Sequence, residues 1–317
     1  MRIKMPLGLF LSSMFVFGFA VSAFASTLTP EVEMQRERLR ELMQVTAIVP
    51  SGMERSNVPS INAIKPPEGD RNYFFIGLDS EPTQGCIDFI LSFTGIPSEL
   101  AIIERGEFTL NFLRYEDVES AIIESRQAIE PVNSWVWNMG QVISIEGVGM
   151  MTMGHPRNNS LTSFATSAHV TGIEQRRVTA NSLTIGSVSR SFVNGNGDVA
   201  LVNLHDRNFV NSNVQGGPIN NFAARASRND TVISIRGISG TQSSIVDSAV
   251  FDLRHPYNNI LMRNMITTTS PARDGDSGAA LIRRMSATDR AVLGTLVGTY
   301  TAPSGRQFAV YTPVVHY

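Results

Sequence analysis

The chain has 317 residues, 42% of them hydrophobic and 17% charged, so it can bury one large core or two moderate ones. Its formal net charge of −2 at pH 7 creates no long-range field able to hold nucleic acid or an anionic membrane surface against counterions, which excludes polyanions as expected partners. A single cysteine, Cys86, rules out an intramolecular disulfide, and its apolar neighbours mark it as a core residue.

In chain order, Arg2 and Lys4 precede an apolar stretch from Leu7 to Val21, and Ala23-Phe24-Ala25 has the small-x-small pattern of a signal peptidase site. Residues 1–25 therefore read as a signal peptide, and the protein as secreted or periplasmic. The run is shorter than the ~20 residues needed to span a bilayer, and no later segment is apolar enough, so no stable membrane insertion is expected after cleavage. Thr29-Pro30-Glu31 supplies an N-cap, a proline at the first helical position and an acidic first turn, with Val32, Leu39, Leu42 and Met43 on one face of the predicted helix.

The stretch from Ser51 to Asp70, with Pro59, Pro66 and Pro67, reads as a linker or extended loop. Tyr73 to Leu78 reads as a buried strand, Cys86 to Phe93 as a helix, and Leu100 to Leu110 as a further strand. A second amphipathic helix is predicted over Glu116 to Ile129, with Val118, Ala121, Ile122 and Ile129 inward and Pro131 ending it. Residues 26–132 thus form a small α+β unit, a pro-segment or accessory domain, with its boundary near Pro131 to Ser134.

From Trp135 the texture changes. Short β-rich runs such as QVISIEGVGMMTMG, SLTIGSVS, VISIRGI, AVLGTLVG and FAVYTPVV are separated by Gly, Asn, Ser and Asp at the intervals of all-β sandwiches or barrels. His155-Pro-Arg-Asn-Asn and His255-Pro-Tyr-Asn-Asn read as two turns built from similar residues.

Three stretches in this half carry chemistry. Ser277 stands in Gly275-Asp276-Ser277-Gly278. A serine hydroxyl needs a base to take its proton and donors to hold the oxyanion it creates. Gly275 permits a backbone turn in which its own N–H and that of Ser277 point into one space. By itself the motif also suits a polar turn between strands. SFATSAHV presents His169 after a run of small residues, and in NGNGDVALVNL a glycine-rich turn delivers Asp198 into an apolar strand. A carboxylate in that setting needs a partner, and an imidazole N–H would serve.

Together and in this order, the three stretches resemble the chymotrypsin-like serine proteases (trypsin-like, S1-type), nearer the disulfide-free bacterial secreted members. The resemblance covers Trp135 to Tyr317 and implies an all-β fold of two antiparallel six-stranded β-barrels over 133–317, preceded by the small α+β region. It implies a serine endopeptidase acting on protein or peptide substrates: His169 as general base and then acid, Asp198 orienting it, Ser277 as nucleophile, and the Gly275 and Ser277 amides as oxyanion hole. Ala272, Val297 and Thr299 fall where such proteins bind substrate. Pro271, six residues before Ser277, stands where an acid would select Lys or Arg, and Ala272 and Thr299 leave room for an apolar or medium-sized side chain.

By the same resemblance the N-terminal segment would act as an intramolecular chaperone or inhibitor, and no cofactor or metal is called for. The five histidines are scattered, and no acid or cysteine cluster has ligand spacing. The alternative is a catalytically inactive, protease-like binding domain. An α/β-hydrolase esterase would need the order Ser, Asp, His, which this chain lacks.

Overall fold

The computed structural model describes residues 28–44, 60–114, 136–157, 160–205, 208–214 and 217–317. The expected signal peptide, the helix expected over 116–129 and the boundary expected near Pro131 to Ser134 lie outside them. Helix α1 (Pro30–Gln44) starts where its N-cap predicts, with Thr29 Oγ1 accepting the Val32 N–H at 3.3 Å. Its apolar face buries Leu39, Leu42 and Met43. Strand β1 (Ile61–Lys65) lies inside the stretch read as a loop. Prolines on either side mask it, but Ile61, Ala63 and Ile64 are all buried because strands flank it on both edges.

β2 (Phe74–Leu78) and α2 (Gln84–Thr94) fall as expected, and Cys86 is buried in the core. The strand expected over Leu100 to Leu110 is two strands, β3 (Ala101–Arg105) and β4 (Glu107–Leu110). They part at Gly106, where a Cβ would sit 1.9 Å from Tyr300 Oη. β3 runs parallel to β2, whereas β4 leaves to pair with a strand far along the chain.

The following strands are β5 (Val136–Asn138), β6 (Val142–Ile145), β7 (Gly149–Thr152), β8 (Pro156–Arg157), β9 (Ser160–Thr166), β10 (Arg177–Ala180), β11 (Leu183–Asn194) and β12 (Gly197–Leu204). From β6 to β12 they form one antiparallel sheet in the order β7-β6-β10-β11-β12-β9-β8. Because β7 and β8 are one stretch of chain interrupted only at 153–155, the order begins and ends on the same segment. The sheet therefore closes into a six-stranded barrel around Ile143, Phe164, Val178, Val188 and Val202.

After β13 (Phe209–Asn211), β14 (Asn213–Val214) and β15 (Gly217–Asn221) comes a second set: β16 (Thr231–Arg236), β17 (Gly240–Arg254), β18 (Leu261–Thr268), β19 (Ala280–Arg284), β20 (Arg290–Thr301) and β21 (Gln307–Pro313). Their pairings run β16-β17-β18-β21-β20-β19 and back to β16, all antiparallel, which closes a second six-stranded barrel. Val246, Ile266, Leu281, Leu293 and Tyr311 lie in its core. The expected double barrel is present.

The α+β segment shares the second barrel's sheet: β1 pairs with β17 and β4 with β20. Its Phe75, Phe108 and Leu110 cover Phe251, Tyr300 and Phe308 on the barrel's outer face. β20 is buried on both faces through Tyr300, by this segment from Val297 onward and before that by the two barrel cores, with Val292 in the first and Leu293 in the second, which accounts for its uninterrupted run of apolar and small residues.

Candidate active site

The two barrels meet along a cleft, and the chain delivers one chemical group to it at each of three turns. His169 follows the end of β9, Asp198 begins β12, and Ser277 lies in the turn before β19, so the first barrel supplies two groups and the second supplies the third. All three are fully buried. His169 has a φ of 60°, a left-handed conformation that costs a non-glycine residue about 1 kcal/mol or more. Asp198 holds it there, because Oδ1 accepts the backbone N–H groups of Ala168 (2.7 Å) and His169 (2.8 Å). Oδ2 accepts from His169 Nδ1 at 2.8 Å. The Asp198 backbone N–H donates to Thr312 Oγ1 at 3.0 Å, which ties the start of β12 to β21 of the other barrel.

Burial by itself would push the Asp198 carboxyl up. The charge and hydrogen bond of His169, with a smaller pull from His255, overcome that and hold the group well below the usual carboxylate range. An ionised Asp198 keeps a proton on His169 Nδ1, and in the neutral ring this leaves Nε2 as the acceptor. Ser277 Oγ lies 2.5 Å from that nitrogen and 3.0 Å from the carbonyl oxygen of Val297. Two acceptors compete for one hydroxyl proton, and the imidazole is the nearer.

The turn carrying Ser277 is built tightly. Asp276 is buried and accepts the N–H groups of Ile238 (3.0 Å), Ser239 (2.9 Å) and Arg273 (3.0 Å), together with the Ser239 hydroxyl. Gly275 and Gly278 have φ values of 88° and 91°, which side-chain-bearing residues rarely adopt. The amides of Gly275 and Ser277 converge on one acceptor, the backbone carbonyl oxygen of Asn111, at 3.0 and 2.8 Å. That convergence is the donor arrangement an oxyanion requires.

The oxygen in this pocket belongs to the N-terminal segment. β4 lies antiparallel to β20, with Phe108 opposite Tyr300, Thr109 opposite Thr299 and Leu110 opposite Gly298. The Asn111 N–H then donates to Val297 O at 3.3 Å, and beyond it Leu113 exchanges two backbone hydrogen bonds with Met150, at 3.0 and 2.7 Å. The chain crosses the cleft from one barrel to the other. Phe112 lies against the His169 ring, centroids 4.6 Å apart.

Of the residues expected to bind substrate, Val297 is buried and contributes its carbonyl rather than its side chain. Thr299 Oγ1 accepts the Ala272 N–H at 3.1 Å and donates to Asn111 Oδ1 at 2.7 Å. The groups that meet the Asn111 side chain are therefore polar, and the room left by Ala272 and Thr299 holds a side chain of medium size.

Sequence reasoning missed Asn111, Phe112, Thr312 and His255. His255 is buried beside the triad, its Nε2 3.6 Å from Asp198 Oδ2, and neither ring nitrogen has a hydrogen-bond partner among the described residues. The repeated His-Pro-x-Asn-Asn was the one signal that could have found it. The first copy is buried too: His155 Nδ1 donates to Pro156 O at 2.8 Å, so Nε2 accepts the Tyr317 hydroxyl at 2.7 Å.

No family model matches the chain, and no curated protein matches it. Among solved structures it is similar to chymotrypsin-like bacterial serine proteases. A Nocardiopsis protease is 17% identical, with a TM-score of 0.46 over 56% of this chain and 93% of that one. Protease A of Thermobifida fusca is 20% identical (TM-score 0.44, 56% and 92% covered), and a Cellulomonas bogoriensis chymotrypsin 22% identical (TM-score 0.44, 57% and 92% covered).

Proposed function

We propose that the chain is an exported serine endopeptidase that hydrolyses peptide bonds through an acyl-enzyme, made as a proenzyme whose N-terminal segment occupies the cleft. One observation carries this reading. The hydrogen-bonded series Asp198, His169, Ser277 ends beside two backbone amides that already converge on a peptide carbonyl oxygen.

In the reaction, Ser277 Oγ bonds to the substrate carbonyl carbon while its proton passes to His169 Nε2. The negative charge gathers on the carbonyl oxygen, where the Gly275 and Ser277 amides meet it without rearranging. Asp198 stabilises the imidazolium and keeps Nδ1 protonated. The amide C–N bond then breaks, the leaving amine takes the proton from Nε2, and water repeats the sequence to free the acid and restore Ser277.

A fluorophosphonate probe tests the assignment, because it labels only a serine activated in this way. The cleft is filled, so the chain is tried both as it stands and with the segment loosened by Leu110→Asp. Leu110 is buried among apolar residues including Phe108 and Tyr300, and a carboxylate there favours the undocked strand. Labelling at Ser277, abolished by Ser277→Ala and by His169→Ala, is expected. An unlabelled Ser277 in the loosened chain would favour the inactive binding domain.

A further inference from the structure

We propose that this site cuts on the carboxyl side of asparagine, and that its built-in substrate is the Asn111–Phe112 bond of the same chain. The inference rests on the serine-endopeptidase reading and adds to it a side-chain class and a bond.

The segment from Phe108 to Leu113 lies in the cleft in the pose of a substrate. Its strand pairs with β20, the Asn111 N–H is bonded to Val297 O, and the Asn111 carbonyl oxygen sits between the two oxyanion amides. The bond that follows that carbonyl joins Asn111 to Phe112, and the Phe112 ring rests on the imidazole that would protonate the leaving amine. Attack by Ser277 Oγ on the Asn111 carbonyl carbon forms an ester and breaks the bond to Phe112 nitrogen, which leaves as an amine with the proton from His169. Water then releases Asn111 as a carboxylate.

Asn111 is 5% exposed, and both ends of its side-chain amide are matched. Thr299 already accepts the Ala272 N–H, so its hydroxyl proton goes to Asn111 Oδ1. On the other side Asn111 Nδ2 donates to Asp274 Oδ1 at 3.3 Å, and an ionised carboxylate can only accept. The two partners fix which end of the amide faces which wall. Aspartate has the same shape but would set a second carboxylate against Asp274, and alanine would leave the Thr299 hydroxyl only the longer bond to Ala272 O, at 3.4 Å. Discrimination thus comes from a repulsive element as well as an attractive one.

The full chain is incubated, and new termini are mapped by intact mass and N-terminal sequencing. A fragment beginning at Phe112 is expected, absent from Ser277→Ala and formed about a hundredfold more slowly by Asn111→Asp. Because a change in the segment can also disturb folding, the Leu110→Asp chain is given two internally quenched peptides, Phe-Thr-Leu-Asn-Phe-Leu and its Asp counterpart. The first should be cut after Asn with a kcat/KM about a hundredfold higher or more. Equal rates, or cutting at another bond, overturn the proposal and leave the endopeptidase reading intact. So does fluorophosphonate labelling of Ser277 with neither self-cutting nor hydrolysis of the Asn peptide. A loosened chain that takes no label removes both.

Discussion

Acid should loosen the joint behind the cleft, and His155 sets the pH at which it does so. The ring lies between the barrels, bonded to Pro156 O on one side and to the hydroxyl of Tyr317 on the other, with Thr295 of β20 bonded to that same hydroxyl at 2.5 Å. Burial pushes the imidazole down to about 4 from an ordinary 6.5, and the Pro156 bond recovers only part of that. The folded-state value is the lower one, so the unfolded chain binds the proton first. Stability is fully present above about pH 6.5 and declines as pH falls towards 4. With these two values the linkage relation gives a loss of about 2 kcal/mol between pH 7 and pH 5, approaching about 3 kcal/mol near pH 4. Urea unfolding followed at pH 7, 6 and 5 measures it. His155→Gln carries no proton in this range, so whatever it costs at neutral pH, its stability should fall by about 2 kcal/mol less between pH 7 and 5. Parallel curves for the two proteins would refute the reasoning.

In Asp198→Asn, two backbone N–H groups keep the amide oxygen at the Oδ1 position and turn its NH2 towards His169 Nδ1. The imidazole must then carry its proton on Nε2, facing Ser277. A loss of about ten-thousand-fold in kcat is expected, read as peptide hydrolysis by the loosened chain, with little change in stability. Gly278→Ala would put a Cβ 2.0 Å from Thr166 Oγ1 and 2.3 Å from Thr152 O at a φ of 91°. Left-handed strain of about 1–2 kcal/mol, and displacement of the neighbouring bonds Thr152 N to Ser277 O and Gly278 N to Leu296 O at about 1 kcal/mol each, predict a cost of about 3–4 kcal/mol in chemical denaturation. Asp252→Asn strips the charge facing both Arg36 and Arg40, three groups that are all buried. A loss of about 3 kcal/mol in urea unfolding is expected, and one below about 1 kcal/mol would mean that Glu33 and Glu37 suffice to compensate those arginines.

The barrels were legible because their strands are bounded by turn residues and follow burial. β6, for example, reads Val-Ile-Ser-Ile, with Ile143 and Ile145 buried and alternating with the less buried Val142 and Ser144. His169, Asp198 and Ser277 could be picked out because their three stretches occur together and in the order of the family they resemble, although Gly275-Asp276-Ser277-Gly278 alone would also suit a polar turn. What could not be read depends on pairing at a distance. β1 gives little local sign of being a strand, since its hydrogen bonds go to β2 and to residues almost 200 positions away on β17. Asn111 sits in a stretch that reads simply as a strand end, and its meaning comes from Val297, Thr299 and Gly275, which no local pattern connects to it. His255 is concealed in the same way, because its burial against Asp198 depends on how the two barrels dock.

The triad's complete burial follows from the same pairing. A hydrolytic site of the kind proposed must be reachable, yet Ser277, His169 and Asp198 are sealed, and the residues across them are Asn111, Phe112 and Leu113. The seal is held by two separable sets of contacts. One is the cleft strand itself, β4 along β20 and Leu113 along Met150. The other lies away from the cleft, where β1 pairs with β17 and Arg36 and Arg40 grip Asp252. Breaking the backbone between Asn111 and Phe112 would remove neither set. Opening therefore depends on the affinity of β4 for the edge of β20, and the arginine anchor, by keeping the segment tethered nearby, raises the effective concentration at which that strand competes with any incoming peptide.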